Sequence, residues 1–156
     1  MTAVQMGRLV QRLGVGGVFY VPREGFSGGL CILWKPSSLV VLLSSSWGIL
    51  KLGLPFLIPL LHGLLGFYDH PDPTRRIHSW ELLRHFSEVD IGPWLCCPDF
   101  NEILSVDKKS GPCLGSVGQI EDFQRVIDAC NLLSFDFVGH PFTWTNNRKD
   151  NAIVQA

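Results

Sequence analysis

The chain has 156 residues, 46% of them apolar and 17% charged, and a net charge of −1 from 13 basic and 14 acidic side chains. That length suits one domain, and the apolar share supplies a core; charged residues fall below the roughly 25% usual for soluble domains. A near-neutral sum excludes a strongly basic nucleic-acid-binding module, since grip on a phosphate backbone needs a basic face, although it leaves room for a local patch.

Five cysteines (Cys31, Cys96, Cys97, Cys113 and Cys130) form no Cys-x-x-Cys pair, and Met1–Gln11 lacks the apolar stretch of a secretory signal. Reduced thiols in an intracellular protein are expected, without a cysteine zinc site. The five histidines, at 62, 70, 78, 85 and 140, are expected in exposed or capping roles rather than on a metal.

Met6–Leu13 is predicted to be a short helix ended by Gly14, and Val18–Val21 a short strand followed by a turn over Pro22–Gly29. Gly28–Lys35 is apolar on both faces and suits an interior strand of a sandwich. Leu39–Leu43, beyond the Pro36-Ser37-Ser38 turn, is its expected hairpin partner. Trp47–Phe67 is nearly all apolar and, at about 20 residues, has the length of a membrane span. Lys51, Pro55, Pro59, His62 and three glycines (Gly48, Gly53, Gly63) interrupt it. Two buried strands with irregular links are the expectation for this atypical segment, 47–66; a transmembrane helix and a locally shifted reading frame are the alternatives.

Ile77, Trp80, Leu83 and Phe86 recur every three residues and are predicted on one helix face, with Arg75, Arg76, Glu81 and Arg84 outside. Gly92-Pro93 ends that unit, and Trp94–Cys97 is expected to be a short buried strand. Ser116 and Gln119 have capping-box spacing. Ile120, Phe123, Val126, Ile127 and Cys130 make the apolar stripe of a second helix, which Asn131 can end in a left-handed conformation. Phe135–Val138 and Phe142–Thr145 are predicted strands around a Gly139-His140-Pro141 turn, and the tail from Asn146 is expected to be loose. The order of elements implies a layered α+β domain.

One motif carries chemistry: Cys97-Pro98-Asp99-Phe100-Asn101-Glu102, directly after a predicted strand. In extended backbone Asp99 and Asn101 would project to one side and Phe100 to the other, into the core. A carboxylate can orient or deprotonate an attacking water, and an amide can fix that water or a phosphate oxygen. A polar turn is the alternative reading of the same spacing.

Asp99-Phe100-Asn101-Glu102-Ile103-Leu104 resembles the GDFNEIL signature of the endonuclease/exonuclease/phosphatase (deoxyribonuclease I-like) superfamily, as found in plant LINE retrotransposons. Further blocks resemble the same family in the same order: Ser27-Gly28-Gly29-Leu30 with Leu33-Trp34-Lys35, Gly66-Phe67-Tyr68 with His70-Pro71, and Ser79-Trp80-Glu81-Leu82-Leu83. Lys109-Ser110-Gly111, the helix around Phe123 and Ile127, and Phe142-Thr143-Trp144-Thr145-Asn146-Asn147 follow. The resemblance spans about Arg8 to Arg148.

It implies a partial four-layer β-sandwich flanked by helices, lacking N- and C-terminal strands, as a single incomplete domain over residues 1–156. It further implies a magnesium-dependent phosphodiester hydrolase acting on DNA, associated with a reverse transcriptase, with a nuclear location possible for such an element. By resemblance, Asp99 is the aspartate that handles the nucleophilic water, Asn101 its partner near the scissile phosphate, and Tyr68 the tyrosine on that phosphate. Thr143 resembles a threonine of the substrate-side strand. No residue here matches the family's metal-binding glutamate or its terminal Ser-Asp-His motif. Pro98 and Asp69 stand where the family has glycines. An impaired remnant of the nuclease is therefore the expectation. Its alternatives are a non-catalytic nucleic-acid-binding fragment using Arg75, Arg76, Lys108 and Lys109, and a small membrane-associated protein using Trp47–Phe67.

Overall fold

A computed structural model describes residues 3–23, 25, 29–55, 61, 63–89, 92–112, 115–135, 138–140, 142, 144–148 and 153–155. The architecture is α+β, with three α-helices among the described residues, α1 (Ala3–Leu13), α2 (Arg76–Val89) and α3 (Val117–Ala129). Six strands accompany them among the described residues: β1 (Gly17–Val21), β2 (Leu30–Trp34), β3 (Val41–Ser46), β4 (Ile49–Gly53), β5 (Gly63–Tyr68) and β6 (Trp94–Asp99). The chain divides into two compact units, Met1–Arg76 with Asp90–Phe100, and Ile77–Val89 with Asn101–Ala156.

The first unit holds the six strands named above. β1 and β2 form an antiparallel two-stranded sheet, with Gly17 opposite Trp34 and Val21 opposite Leu30. The other four lie in the order β3-β4-β5-β6. This sheet is mixed: β3, β4 and β5 pair antiparallel, whereas β5 and β6 run parallel. Parallel neighbours need a crossover, and the segment carrying α2 supplies it in sequence. The two sheets meet where β5 has no side chain: a Cβ at Gly66 would lie 3.8 Å from Leu30 Cδ1. α1 joins through Met6, whose Sδ lies 3.9 Å from Cys31 Sγ.

The greasy segment resolves as expected into two strands, β4 and β5. In β4, Ile49, Leu50, Leu52 and Gly53 are buried, the pattern of a strand covered on both faces. β5 alternates, with Gly63, Leu65 and Phe67 buried and Leu64, Gly66 and Tyr68 half-buried. Among the described residues no helix is long and apolar enough to cross a membrane.

Three strand expectations are corrected. β3 pairs with β4 rather than β2, because the two-residue turn Trp47-Gly48 closes that hairpin locally. β2 is half-buried in its two-stranded sheet, not interior to a larger one. β6 is an edge strand, half-buried over Trp94–Cys96 and exposed over Cys97–Asp99, which is why it tolerates Pro98.

The second unit is built on α2 and α3. Trp80 and Phe123 stack at a ring-centroid distance of 5.6 Å. The stripe Ile120, Phe123, Val126, Ile127 and Cys130 is buried as the spacing predicts, and Asn131 ends α3 with φ 50°. Ser116 is the N-cap, but its side chain makes no capping hydrogen bond. On α2, Trp80 and Leu83 are buried, whereas Ile77 is exposed. A three-residue repeat falls short of a helical turn, so it drifts around the helix and cannot hold four residues on one face.

The expected strands after α3 are absent among the described residues, where Phe135 and Val138 are exposed. Asp136, Phe137 and Pro141 lie outside the described residues. The tail is more tied than its polarity suggested. Ser110 and Gln155 exchange N–H···O bonds of 2.9 and 3.0 Å, and the Asn146 N–H donates to the Val154 carbonyl at 3.1 Å.

Leu83 is 0% exposed and Ile77 46%. Leu83→Ala is expected to cost about 2–5 kcal/mol in urea unfolding, and Ile77→Ala no more than about 0.5 kcal/mol.

Candidate functional site

β5 and β6 end together. Tyr68 is the register partner of Asp99, the last residue of each strand. Residues directly opposite in a sheet project to the same face, so a phenol and an exposed carboxylate stand side by side at the carboxyl end of two parallel strands. The pairing continues one residue further, where the Asp69 N–H donates to the Asp99 carbonyl at 2.8 Å. Beneath the site Phe100 packs on Phe67, with ring centroids 5.6 Å apart, which accords with the expectation that Phe100 turns toward the core.

A second contact fixes Tyr68 from the other side. Its N–H donates to the Gly48 carbonyl at 2.7 Å. Gly48 has φ 73°, the left-handed value that the second position of such a turn requires. The neighbouring Trp47 ring meets Tyr68 edge-on, at 6.0 Å and 87°, and lies against the His70 ring at 5.4 Å and 41°.

The loop after Tyr68 is held by two buried charged residues. Asp69 is 0% exposed, and its Oδ1 accepts the His70 N–H at 2.7 Å. Arg76, 8% exposed, donates from Nε to the His70 carbonyl at 3.1 Å and from Nη2 to the Pro71 carbonyl at 3.2 Å. The expectation that Arg76 lies outside is therefore corrected: its guanidinium closes this loop and is not part of a basic surface. Of the proposed basic set, Arg75 and Lys108 are exposed and Lys109 is half-buried.

His70 plays the expected capping role, its Nδ1 accepting the Asp72 N–H at 3.0 Å. Asp72 in turn accepts from the Thr74 N–H at 3.0 Å and the Thr74 hydroxyl at 2.8 Å. Those bonds, the backbone one foremost, hold the Asp72 carboxyl below the usual carboxylate range.

The remaining sequence-predicted residues stand differently. β6 ends at Asp99, and Asn101 has φ 49°, so the extended backbone that would align the two side chains stops short of Asn101. Asparagine is one of the few residues that adopt this left-handed conformation readily. Asn101 belongs to the second compact unit and Asp99 to the first. Thr143 lies outside the described residues. Among the described residues no group of three or more His, Cys, Asp or Glu side chains could hold a metal ion.

No family model, curated protein or solved structure matches the chain. The roles of these residues therefore rest on their geometry and on the motifs themselves. Trp47 and His70 were not singled out by the sequence as site residues. Their signals were modest: a Trp-Gly pair between apolar runs marks a hairpin turn, and His70 lies two residues beyond Tyr68.

A Cβ at Gly48 would lie 2.6 Å from the Tyr68 carbonyl oxygen. Gly48→Ala is expected to lose at least about 1–2 kcal/mol in urea unfolding, from the left-handed φ alone. Because the folded Asp72 carboxyl is depressed, its stabilisation is present above its ordinary pKa of 3.8 and is lost as pH falls through the lower folded value. Asp72→Ala is expected to be less stable than the wild type at neutral pH, with the difference vanishing in acid; thermal unfolding across pH checks it.

Proposed function

We propose that the chain carries part of the active site of a magnesium-dependent DNA endonuclease of the deoxyribonuclease I-like type, resembling that of plant LINE retrotransposons, with impaired turnover. The observation that carries this reading is the pairing of Tyr68 with Asp99 at the ends of β5 and β6. The two residues come from motifs some thirty positions apart, and nothing in their spacing requires them to meet.

In this reading Asp99 orients the attacking water and accepts its proton, and Tyr68 donates its hydroxyl to a non-bridging oxygen of the scissile phosphate. Asn101, by resemblance, fixes the water or a phosphate oxygen, and Thr143 belongs to the substrate side. The α+β architecture with two sheets in contact is compatible with a partial β-sandwich. The four-layer form, the DNA substrate and an intracellular, nuclear setting belong to the same proposal. Magnesium enters through the resemblance, and when bound it neutralises phosphate charge in such enzymes. The donor set among the described residues falls short of a metal site.

Nicking of supercoiled plasmid tests the reading. Slow nicking that Asp99→Ala abolishes is the expected result. Nicking indifferent to Asp99→Ala, or none at any magnesium concentration, overturns the enzymatic reading, whereas rapid Asp99-dependent nicking overturns the claim of impairment.

A further inference from the structure

Three ring heteroatoms around the carboxyl end of β5 have no protein partner among the described residues. The Trp47 indole Nε1 is buried without an acceptor. Neither the Tyr68 hydroxyl nor His70 Nε2 makes a hydrogen bond there. Since His70 Nδ1 accepts from the Asp72 N–H, a neutral His70 ring carries its proton on Nε2 and is a donor at that end. The Trp47 ring touches both of the other rings.

An unsatisfied buried donor costs about 1–3 kcal/mol, so proteins retain few of them without a use. Here the ring that carries the unpaired indole nitrogen packs against the rings of two further donors, in a cluster fixed by a turn, a strand end and a clamped loop. Such a cluster suits a ligand rich in acceptor oxygens.

We propose that Trp47, Tyr68 and His70 together form a phosphate subsite, in which the indole N–H, phenol O–H and imidazole Nε2–H donate to oxygens of a phosphodiester. This rests on the nuclease reading for Tyr68 and extends it to two residues that the motifs do not assign. The carboxylate of Asp99, opposite Tyr68, repels a bare anion, so Asp99→Asn tightens phosphate binding in the absence of magnesium.

The test uses the full chain labelled with 15N at tryptophan and histidine and titrated with dimethyl phosphate, with sodium acetate as the control anion. One indole resonance, identified by its loss in Trp47→Phe, is expected to shift saturably with dimethyl phosphate and not with acetate. His70→Ala is expected to weaken that binding roughly fivefold to tenfold, the equivalent of one hydrogen bond, with the rest of the spectrum unchanged. A Trp47 resonance that ignores phosphate, or moves equally with acetate, overturns the subsite. The two readings fail separately. Plasmid nicking with a silent Trp47 leaves the nuclease and removes the subsite, and phosphate binding without nicking does the reverse.

Discussion

Tyr68 meets Asp99 because β5 and β6 run in the same direction in one continuous register, from Gly63 opposite Trp94 to the last residue of each strand. An antiparallel pair would bring the end of one strand beside the start of the other, and the two side chains would lie at opposite ends of the sheet. A slip of one residue would turn Asp99 to the other face. The register is held by the burial of Leu65 and Phe67 on one face and by Leu30 against Gly66 on the other. The alternation that builds the core therefore also sets the direction in which Tyr68 projects.

The loop beyond Tyr68 shows how much polar structure that arrangement needs. A buried charge is costly to desolvate unless its hydrogen-bonding capacity is met. Asp69 and Arg76 each bind backbone of the same loop, one accepting an N–H and the other donating to two carbonyls. Directly after Tyr68 the chain thus has a carboxylate that takes up a backbone donor.

Much of the framework was legible in the sequence. The prolines and glycines that interrupt Trp47–Phe67 and the spacing of Ile120, Phe123, Val126 and Ile127 are local signals, and they gave the right elements. The pairing of β3 with β4 was misread because two apolar runs flank each of two turns, and residue types alone do not rank the turns. Arg76 was placed outside because charge usually reports exposure; its burial depends on two carbonyls that only the folded loop presents. The site was half legible. Tyr68 and Asp99 stood out through their motifs, whereas Trp47 and His70 acquire meaning only when the turn before β4 folds back onto the end of β5.

The order in which contacts can form has a bearing on when the site exists at all. The β1–β2 and β3–β4 hairpins close short stretches of chain, but β5 and β6 must close the whole segment carrying α2 before their ladder begins. Closing a longer loop costs more entropy, and non-local pairings of this kind are the slow ones in folding. Tyr68 and Asp99 sit at the last rung of that ladder, on an edge strand exposed over its final three residues. The junction that brings the phenol to the carboxylate thus closes after the local hairpins, at an exposed end of the sheet. Amide exchange at the Asp69 N–H, whose partner is the Asp99 carbonyl, is a direct clock for opening at that end.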